Sequence, residues 1–511
     1  MGSTAFMLMI ITIISKVTGL LREQVTAYTL GTGVLADVYS IATYIPYTIF
    51  GFIVAGIGTS FIPIYNKIKN EENVETADNY TANLVNILLI VSLILIGLIM
   101  IAAPLLVRLF AAGFTDYMHG LTTTFTRIIS FNTVITLISS VYIAYLNLKG
   151  SFTIPAVTGI LMNVFHIFTF YLAYRLNNFF IIAYGFVISD LLKYIMFPRA
   201  LRKNGYKHRF YINWRDPNIR LLISMSAPII LSIAAVDLST MVDQSLATLV
   251  FSGNTGAVAA IKYAILILQL ISGVVVVSIA TAIYPKLSAL ATQGKERLLK
   301  KELMENITIA QLLVIPATIG LMVLAVPTIS LIFERGEFNQ RSTEITSTVL
   351  FYYLPSLFGL TIRDLTVRGF YAHRDIKTPV KITVLQEIIH VILSLILSSF
   401  MGISGLALAT SIASIFGGFA ILFTFRKKYG RINLKRFSKT SLKILIASLL
   451  MGAVTYFSYH SLILSKGQLI SFVVSVLLSM LAYTIIIIFM GIPEVRKLIR
   501  QMVRRLSSKR K

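Results

Sequence analysis

Apolar runs of about 20 residues recur along nearly the whole chain, and short polar segments separate them. Each run is long enough to cross a hydrocarbon core of roughly 30 Å as a helix, and too continuous for the strands of a membrane β-barrel. Backbone groups in lipid must be satisfied within their own segment, which also favours helices. The pattern predicts an all-α polytopic membrane protein with fourteen transmembrane helices.

The first twelve predicted spans form an internal repeat with an offset of about 222 residues. Matching positions include Gly51 and Gly273, Thr59 and Thr281, and Pro63 and Pro285. Because each copy has an even number of spans, both enter the membrane in the same orientation, so the repeat is parallel. The sequence predicts one six-helix half over residues 1–207, a second over 208–428, and two extra helices with a basic tail over 429–511. Such repeats are typical of secondary transporters.

The formal net charge is +25, and its placement along the chain is informative. Lys and Arg concentrate on alternate loops, such as 199–215 and 286–301, whereas the intervening loops near Thr115 and Asn177 hold few. The positive-inside rule then predicts that both termini and the basic tail are cytoplasmic. Basic loops that face anionic lipid explain the charge, so we expect membrane lipids as partners and no nucleic acid.

The residues and motifs that the chain lacks exclude several kinds of chemistry. Without cysteine there are no disulfides, thiolate nucleophiles or Cys-ligated metals. The six histidines form no HExxH motif, and no GxxxxGK[ST] phosphate loop is present. We therefore expect no enzymatic activity and no resident cofactor or metal. Any energy for transport must come from an ion gradient, from the membrane potential or from removal of the product, and Na⁺ and H⁺ are the candidate coupling ions.

Charged residues inside membrane spans are costly, so each is a candidate for function. Lys16, Arg22 and Glu23 lie in or near the first span, Asp37 opens the second, and Lys262 lies in the eighth. Cations that face a central cavity suit an anionic substrate, and a guanidinium can bind a phosphate through two hydrogen bonds. The alternatives are an interfacial Arg22–Glu23 pair and a Lys262 side chain that extends to the headgroups.

A second group of intramembrane polar residues is a candidate ion site. Asp237 and Asp243 lie about two turns apart on the seventh span, where they could bind a cation or balance the lysines. His390 lies beside Glu387 in the eleventh span. Structural pairing of the two aspartates, and a helix-packing hydrogen bond rather than a proton relay at His390, are the alternatives.

Five motifs are spread along the chain: SKVTGLLREQV and GTGVLAD near the start, FERGEF at 333–338, GFYAHRDIKTPVKI at 369–382 and GISGLALATS at 402–411. Together they resemble the MurJ/MviN family of lipid II flippases in the MOP exporter superfamily, and the resemblance covers essentially the whole chain. It implies a flippase that moves lipid II, an undecaprenyl-diphosphate-linked peptidoglycan precursor, between leaflets of a bacterial cytoplasmic membrane. Alternating access by a monomer is the expected mode of action.

The resemblance also implies roles for particular residues. A cationic cavity would bind the diphosphate and sugar, and the two extra helices would form a groove for the lipid tail. Arg22 matches an arginine of the family, Glu23 its acidic neighbour and Asp37 the aspartate that opens the second span. Lys16 stands where the family often has a base. Family arginines are missing from the second and the eighth span, and Lys262 is the candidate substitute in the eighth.

A sodium site of the family lies on the seventh, eleventh and twelfth spans. The resemblance therefore implies a possible ion site at Asp237, Asp243, His390 and Thr410. The side chains of His390 and Ser394 differ from the amide or carboxylate ligands that are familiar there, which leaves Na⁺ and H⁺ both open.

Three other functions are compatible with parts of the sequence. A flippase for another polyprenyl-linked oligosaccharide, of the capsule, exopolysaccharide or teichuronic type, would share the diphosphate. A drug or cation antiporter of the same superfamily would need a cavity dominated by acids. A membrane glycosyltransferase would need a long polar outer loop with catalytic acids, and the longest outer loops, near Thr115 and Glu337, are short.

Overall fold

The computed structural model describes residues 2–251 and 255–497, with side chains from residue 11 onward except at Pro228 and Ser465. The described residues include eighteen α-helices and one π-helical segment, with no β-strand. From residue 498 on, the predicted basic tail lies outside this part of the chain. An all-α polytopic membrane protein was predicted, and the helical fold confirms that class.

The described residues divide into two compact units. The first runs to Ala259 and also includes Arg335–Asn339. Its helices are α1 Gly2–Leu30, α2 Val34–Glu71, α3 Val74–Phe110, α4 Asp116–Ser130, α5 Asn132–Leu148, α6 Thr153–Leu176, α7 Phe180–Lys203 and α8 Pro217–Val250. The two units reflect compact packing, whereas the predicted halves, 1–207 and 208–428, reflect a repeated sequence pattern. The units therefore do not test the halves, which stay a prediction.

The second unit comprises Ala260–Glu334 and the described residues from Gln340 onward. Its first helix, α9 Ala257–Ile271, begins three residues before the boundary. The other elements are a π-helical segment Ser272–Val277, α10 Ser278–Thr292, α11 Glu296–Val323, α12 Ala325–Phe333, α13 Gln340–Tyr353, α14 Ser356–Ala372, α15 Lys377–Met401, α16 Ile403–Tyr429, α17 Leu434–Lys466 and α18 Gln468–Phe489.

Twelve helices in the described part of the chain are long and apolar enough to cross a membrane. Helices α13 and α14, which meet at an angle of 46°, add a thirteenth if they form one broken span. Helix α1 is not among these, and the side chains of its first nine residues are not described. The predicted number of fourteen is consistent with this result and stays a prediction.

Helix α2 is central to the first unit, because it packs against α3, α4, α5 and α8. At one end an aromatic core forms around Phe61, Tyr65 and Tyr145, each at most 1% exposed. Helix α6 packs between α1 and α7. This arrangement brings polar side chains of α1, α6 and α7 together inside the unit.

Helix α16 has the same role in the second unit, where it packs against α13, α14 and α15. Phe370 and Phe425 form an edge-to-face aromatic pair with ring centroids 5.3 Å apart. The two additional helices, α17 and α18, pack against each other, and α17 also packs along α11. The Tyr483 hydroxyl of α18 donates a hydrogen bond to the Leu312 carbonyl of α11 at 2.9 Å.

Polar residues at the ends of the apolar runs explain where several helices begin. The side chains of Asn73, Thr115, Asp216 and Asn433 each accept a hydrogen bond from a backbone N–H in the first turn of α3, α4, α8 or α17. These N–H groups have no partner within the helix, so such caps stabilise the helix start.

Candidate functional site

Arg22 is the centre of a polar cluster within the first unit. Its Nη2 atom lies 2.5 Å from Glu23 Oε1, and its Nη1 atom donates a hydrogen bond to Asn163 Oδ1 of α6 at 3.2 Å. Asn163 in turn donates to the Ser15 carbonyl at 3.4 Å and to the Thr18 hydroxyl at 3.3 Å. The Arg22 side chain is 27% exposed. Its guanidinium is therefore held in place and still partly accessible.

Helix α7 contributes an ion pair to this cluster, between Asp190 and Lys193. These side chains are 5% and 18% exposed, and Asp190 lies close enough to Arg22 to attract its charge. His166 of α6 is also near both residues, and its buried ring stacks on Phe186 with centroids 5.2 Å apart. The polar cluster thus consists of Arg22, Glu23, Asn163, His166, Asp190 and Lys193.

Four members of the polar cluster were not identified from the sequence: Asn163, His166, Asp190 and Lys193. A signal was present for two of them, since Asp190 and Lys193 lie in an apolar run at the i, i+3 spacing that places two side chains on one helix face. Asn163 and His166 are neutral side chains in an ordinary span, and only the packing of α6 against α1 and α7 distinguishes them.

The remaining predicted members of the cationic site lie in other environments. Lys16 is exposed on α1. Asp37 is 3% exposed, and its carboxylate accepts hydrogen bonds from the backbone N–H groups of Gly256 at 2.6 Å and Ala259 at 2.9 Å. Asp37 therefore satisfies backbone groups at the start of α9. Lys262, further along α9, is partly buried and belongs to the second unit.

The residues of the predicted ion site form separate groups within the two units. In the first, Asp237 is 8% exposed and accepts a hydrogen bond of 3.5 Å from the Tyr44 hydroxyl, while Asp243 is 7% exposed on the same helix. In the second, His390 contacts Glu387 at 3.5 Å and the Thr410 hydroxyl at 2.9 Å.

No group of three or more His, Asp or Glu side chains suited to a metal ion occurs in the described part of the chain. The possible ion site therefore stays a prediction.

The motif FERGEF places a tight turn against α1. The Glu337 N–H donates a hydrogen bond to the Tyr28 carbonyl at 2.9 Å. Gly336 has a φ of +61°, and a Cβ atom there would lie 2.5 Å from the same carbonyl oxygen. Glycine is the residue that fits both conditions. Glu337 also borders a cavity of about 330 Å³ next to the end of α1.

The motif at 369–382 forms a junction between α14, α15 and α16. His373 Nε2 lies 2.9 Å from Glu296 Oε1, and the His373 ring stacks on Tyr429 at 3.9 Å. Asp375 pairs with Lys428 at 2.7 Å and accepts a bond from the N–H of Thr378. Burial raises the pKa of Asp375, but hydrogen bonds from Lys428 and Thr378 outweigh it and lower the pKa to about 2. These contacts of His373 and Asp375 hold the ends of the helices together.

The geometry of the polar cluster suits exchange of one anion for another. Arg22 and Lys193 carry positive charge, and Glu23 and Asp190 carry negative charge, so the cluster is balanced in the absence of a ligand. Glu23 occupies the Nε and Nη2 edge of the guanidinium. A phosphate could take this edge with two parallel hydrogen bonds if Glu23 gave it up.

Comparisons of the sequence with known proteins give consistent matches. A family model described as "Lipid II flippase MurJ" matches residues 26–478. A probable lipid II flippase MurJ from Rickettsia prowazekii is 26% identical over 505 residues, which cover 97% of this chain and 98% of that protein. Another from Thermotoga maritima is 26% identical over 491 residues, which cover 96% of this chain and 97% of that protein.

Two solved structures share the fold. A lipid II flippase MurJ in an inward closed conformation has a TM-score of 0.81 at 24% identity, covering 94% of this chain and 98% of that chain. An inward-facing multidrug resistance MATE family transporter of the MOP superfamily has a TM-score of 0.65 at 18% identity, covering 82% and 96%. The fold is therefore common to transporters of different substrates, and the site must distinguish between them.

Proposed function

Because the chain belongs to the MurJ lipid II flippase family, we propose that it moves lipid II from the cytoplasmic to the outer leaflet of a bacterial cytoplasmic membrane. The family model and the relatives confirm the resemblance predicted from the sequence motifs. They do not favour the other polyprenyl-linked oligosaccharides, the antiporter or the glycosyltransferase. The protein is a transporter of the multi-pass helical class, acting on a lipid-linked substrate within the membrane.

The observation that carries this proposal is the partly buried side chain of Arg22 on α1, held by Glu23 and by Asn163 of the membrane-spanning helix α6. The diphosphate of the substrate is the group that such a guanidinium binds best. In the proposed cycle the diphosphate displaces Glu23 from Arg22, and Glu23 returns when the head group leaves. The partly buried arginine then keeps an anionic partner throughout, which avoids the cost of an unpaired charge in the membrane.

The proposed cycle is one of alternating access, which requires the head group to bind differently in the two states. An inside-negative membrane potential favours outward movement of the anion by about 2.3 kcal/mol per charge per 100 mV. Cytoplasmic termini, function as a monomer and coupling to Na⁺ or H⁺ are further parts of the proposal. The concentration of Lys and Arg on alternate loops supports the cytoplasmic location of both termini.

Rescue of a bacterium whose own lipid II flippase is depleted tests the proposal. We expect the unaltered chain to restore growth and Arg22→Ala to abolish the rescue. Arg22→Lys should rescue partially, because lysine keeps the charge and loses the planar pair of donors. Arg175→Ala is the matched control, since Arg175 is an exposed arginine of α6 in the same unit. Immunoblots of membranes verify equal amounts of each variant.

Two results contradict the proposal. Failure of the unaltered, well-expressed chain to restore growth argues against lipid II as the substrate. It favours another polyprenyl-linked oligosaccharide. Full rescue by Arg22→Ala argues against the guanidinium as the diphosphate site, whatever the substrate.

A further inference from the structure

The segment between α7 and α8, residues 204–216, exposes large apolar side chains; we call it the connector. Phe210 is 90% exposed, Trp214 51% and Ile212 49%. The connector lies outside the helices that cross the membrane. A group of neighbouring exposed apolar residues outside the spans indicates an interaction surface.

Two buried asparagines of α3 hold the connector in a defined conformation. Asn83 accepts a hydrogen bond from the N–H of Asn213 at 2.7 Å and donates one to the carbonyl of the same residue at 3.1 Å. Asn86 donates to the carbonyls of Arg209 and Tyr211, each at 3.0 Å. Both asparagines are at most 3% exposed. The connector is thus fixed on its inner side, while its apolar side chains face outward.

The same hydrogen bonds fix the level of the connector along α3. Asn83 and Asn86 lie at the point where α3 changes from a polar first part to the strongly apolar stretch 88–100. An apolar helix enters the hydrocarbon where its polar part ends, so the connector lies near the membrane surface. Tryptophan, with an apolar ring and one N–H donor, is enriched at this level.

Basic residues dominate the connector and the adjoining end of α7, and the acid at its last position, Asp216, caps α8. Residues 199–215 include six Lys or Arg and no Asp or Glu. Arg209 pairs with Glu75 of α3 at 2.9 Å. Lys207 and Arg215 are exposed beside Phe210 and Trp214. Basic residues at the membrane surface attract anionic lipid.

We propose that the connector is a binding surface for anionic phospholipids of the cytoplasmic leaflet. Phe210, Ile212 and Trp214 enter the headgroup region, and Lys207 and Arg215 bind lipid phosphates. The leaflet follows from the positive-inside orientation. The surface binds lipid whether or not the chain transports lipid II, so it stands apart from the proposed function.

Trp214 is the chain's single tryptophan, so its fluorescence reports on the connector directly. The full chain is placed in nanodiscs of phosphatidylcholine and phosphatidylglycerol, with bromine on the acyl chains of one lipid at a time. Bromine quenches an indole that it contacts. We expect quenching by both lipids, and at equal mole fraction at least about twofold stronger quenching by brominated phosphatidylglycerol.

Lys207→Gln combined with Arg215→Gln should remove the preference for phosphatidylglycerol while quenching by both lipids remains. The matched control is Lys67→Gln with Lys69→Gln, which removes the same charge at the end of α2 and should leave the preference intact.

Three results overturn the proposal. Equal quenching by the two lipids means that the surface does not select anions. A preference that survives Lys207→Gln with Arg215→Gln means that these bases do not provide it. Absence of quenching by either lipid, with emission typical of water, means that the connector faces the aqueous phase and is free for a soluble partner.

Discussion

Asp37 shows how a single carboxylate inside a membrane protein can stabilise the backbone of a distant helix. Its two oxygens accept hydrogen bonds from the N–H groups of Gly256 and Ala259, more than 200 positions along the chain. The first N–H groups of a helix have no partner within the helix, and a negative charge is favourable at that end. The family resemblance implies a role for Asp37 in binding substrate, and the hydrogen bonds provide a second reason for its presence.

We predict that Asp37→Ala lowers the stability of the purified protein, because a buried N–H without an acceptor costs about 1–3 kcal/mol. Asp37→Asn keeps one acceptor oxygen and should lose less. The measurement is the midpoint of thermal unfolding in detergent. Asp116→Ala, at an exposed acid in the first turn of α4, is the control. An Asp37→Ala variant that unfolds at the wild-type temperature would show that the cap contributes nothing.

Some residues of the polar cluster could be identified from the sequence, whereas others could not. Arg22 and Glu23 were identified because charge in an apolar span is conspicuous. The contact of Arg22 with Asn163 joins residues 141 positions apart, and no periodicity encodes it. Asp190 and Lys193 could have been found from their spacing. The hydrogen bonds of Asp37 could not, because they depend on where the start of α9 packs.

At the scale of elements, α14 and α16 approach so closely that their backbones touch. A Cβ atom on Gly359 would lie 2.2 Å from the Ser414 carbonyl oxygen, and one on Gly418 would lie 2.5 Å from the Gly359 carbonyl oxygen. Small residues at such crossings are a common means of helix association in membranes, where lipid is as apolar as the side chains.

We predict that Gly359→Ala destabilises the second unit by about 1–3 kcal/mol, since the added methyl group forces the two helices apart. Gly97→Ala is the control, because a Cβ atom there meets nothing within 4 Å. Thermal unfolding followed by circular dichroism compares the two variants. Equal midpoints for Gly359→Ala and the unaltered protein would contradict the close packing of α14 on α16.

At the scale of the molecule, the distribution of charge predicts which loops face the cytoplasm. The natural chain has no cysteine, so one introduced cysteine is a unique label. In intact cells, Ala112→Cys, after α3, should react with a membrane-impermeant maleimide. Glu72→Cys, before α3, should react only after permeabilisation. Both residues are exposed. The reverse pattern of labelling would contradict the predicted orientation.

Most of the fold was predictable, because backbone N–H and C=O groups in lipid must form hydrogen bonds within their own segment. Each long apolar run is therefore expected to be a helix. A proline inside a span is a bending point that the sequence shows, and Pro355 lies at the 46° bend between α13 and α14, whereas the size of the bend also depends on packing. The basic charge of loop 199–215, which includes most of the connector, was visible in the sequence. The attachment of the connector to Asn83 and Asn86 became visible only in the structure.

The π-helical segment Ser272–Val277 has a consequence for how this chain could change in evolution. A π turn accommodates an additional residue without breaking the helix. Loss of one residue there would leave a continuous α-helix whose two flanks keep nearly the same orientation, because the wider π turn already offsets the rotation of about 100° that one additional residue brings. The segment is therefore a place where a descendant can shorten a membrane span by one residue while both flanks keep the faces that they present.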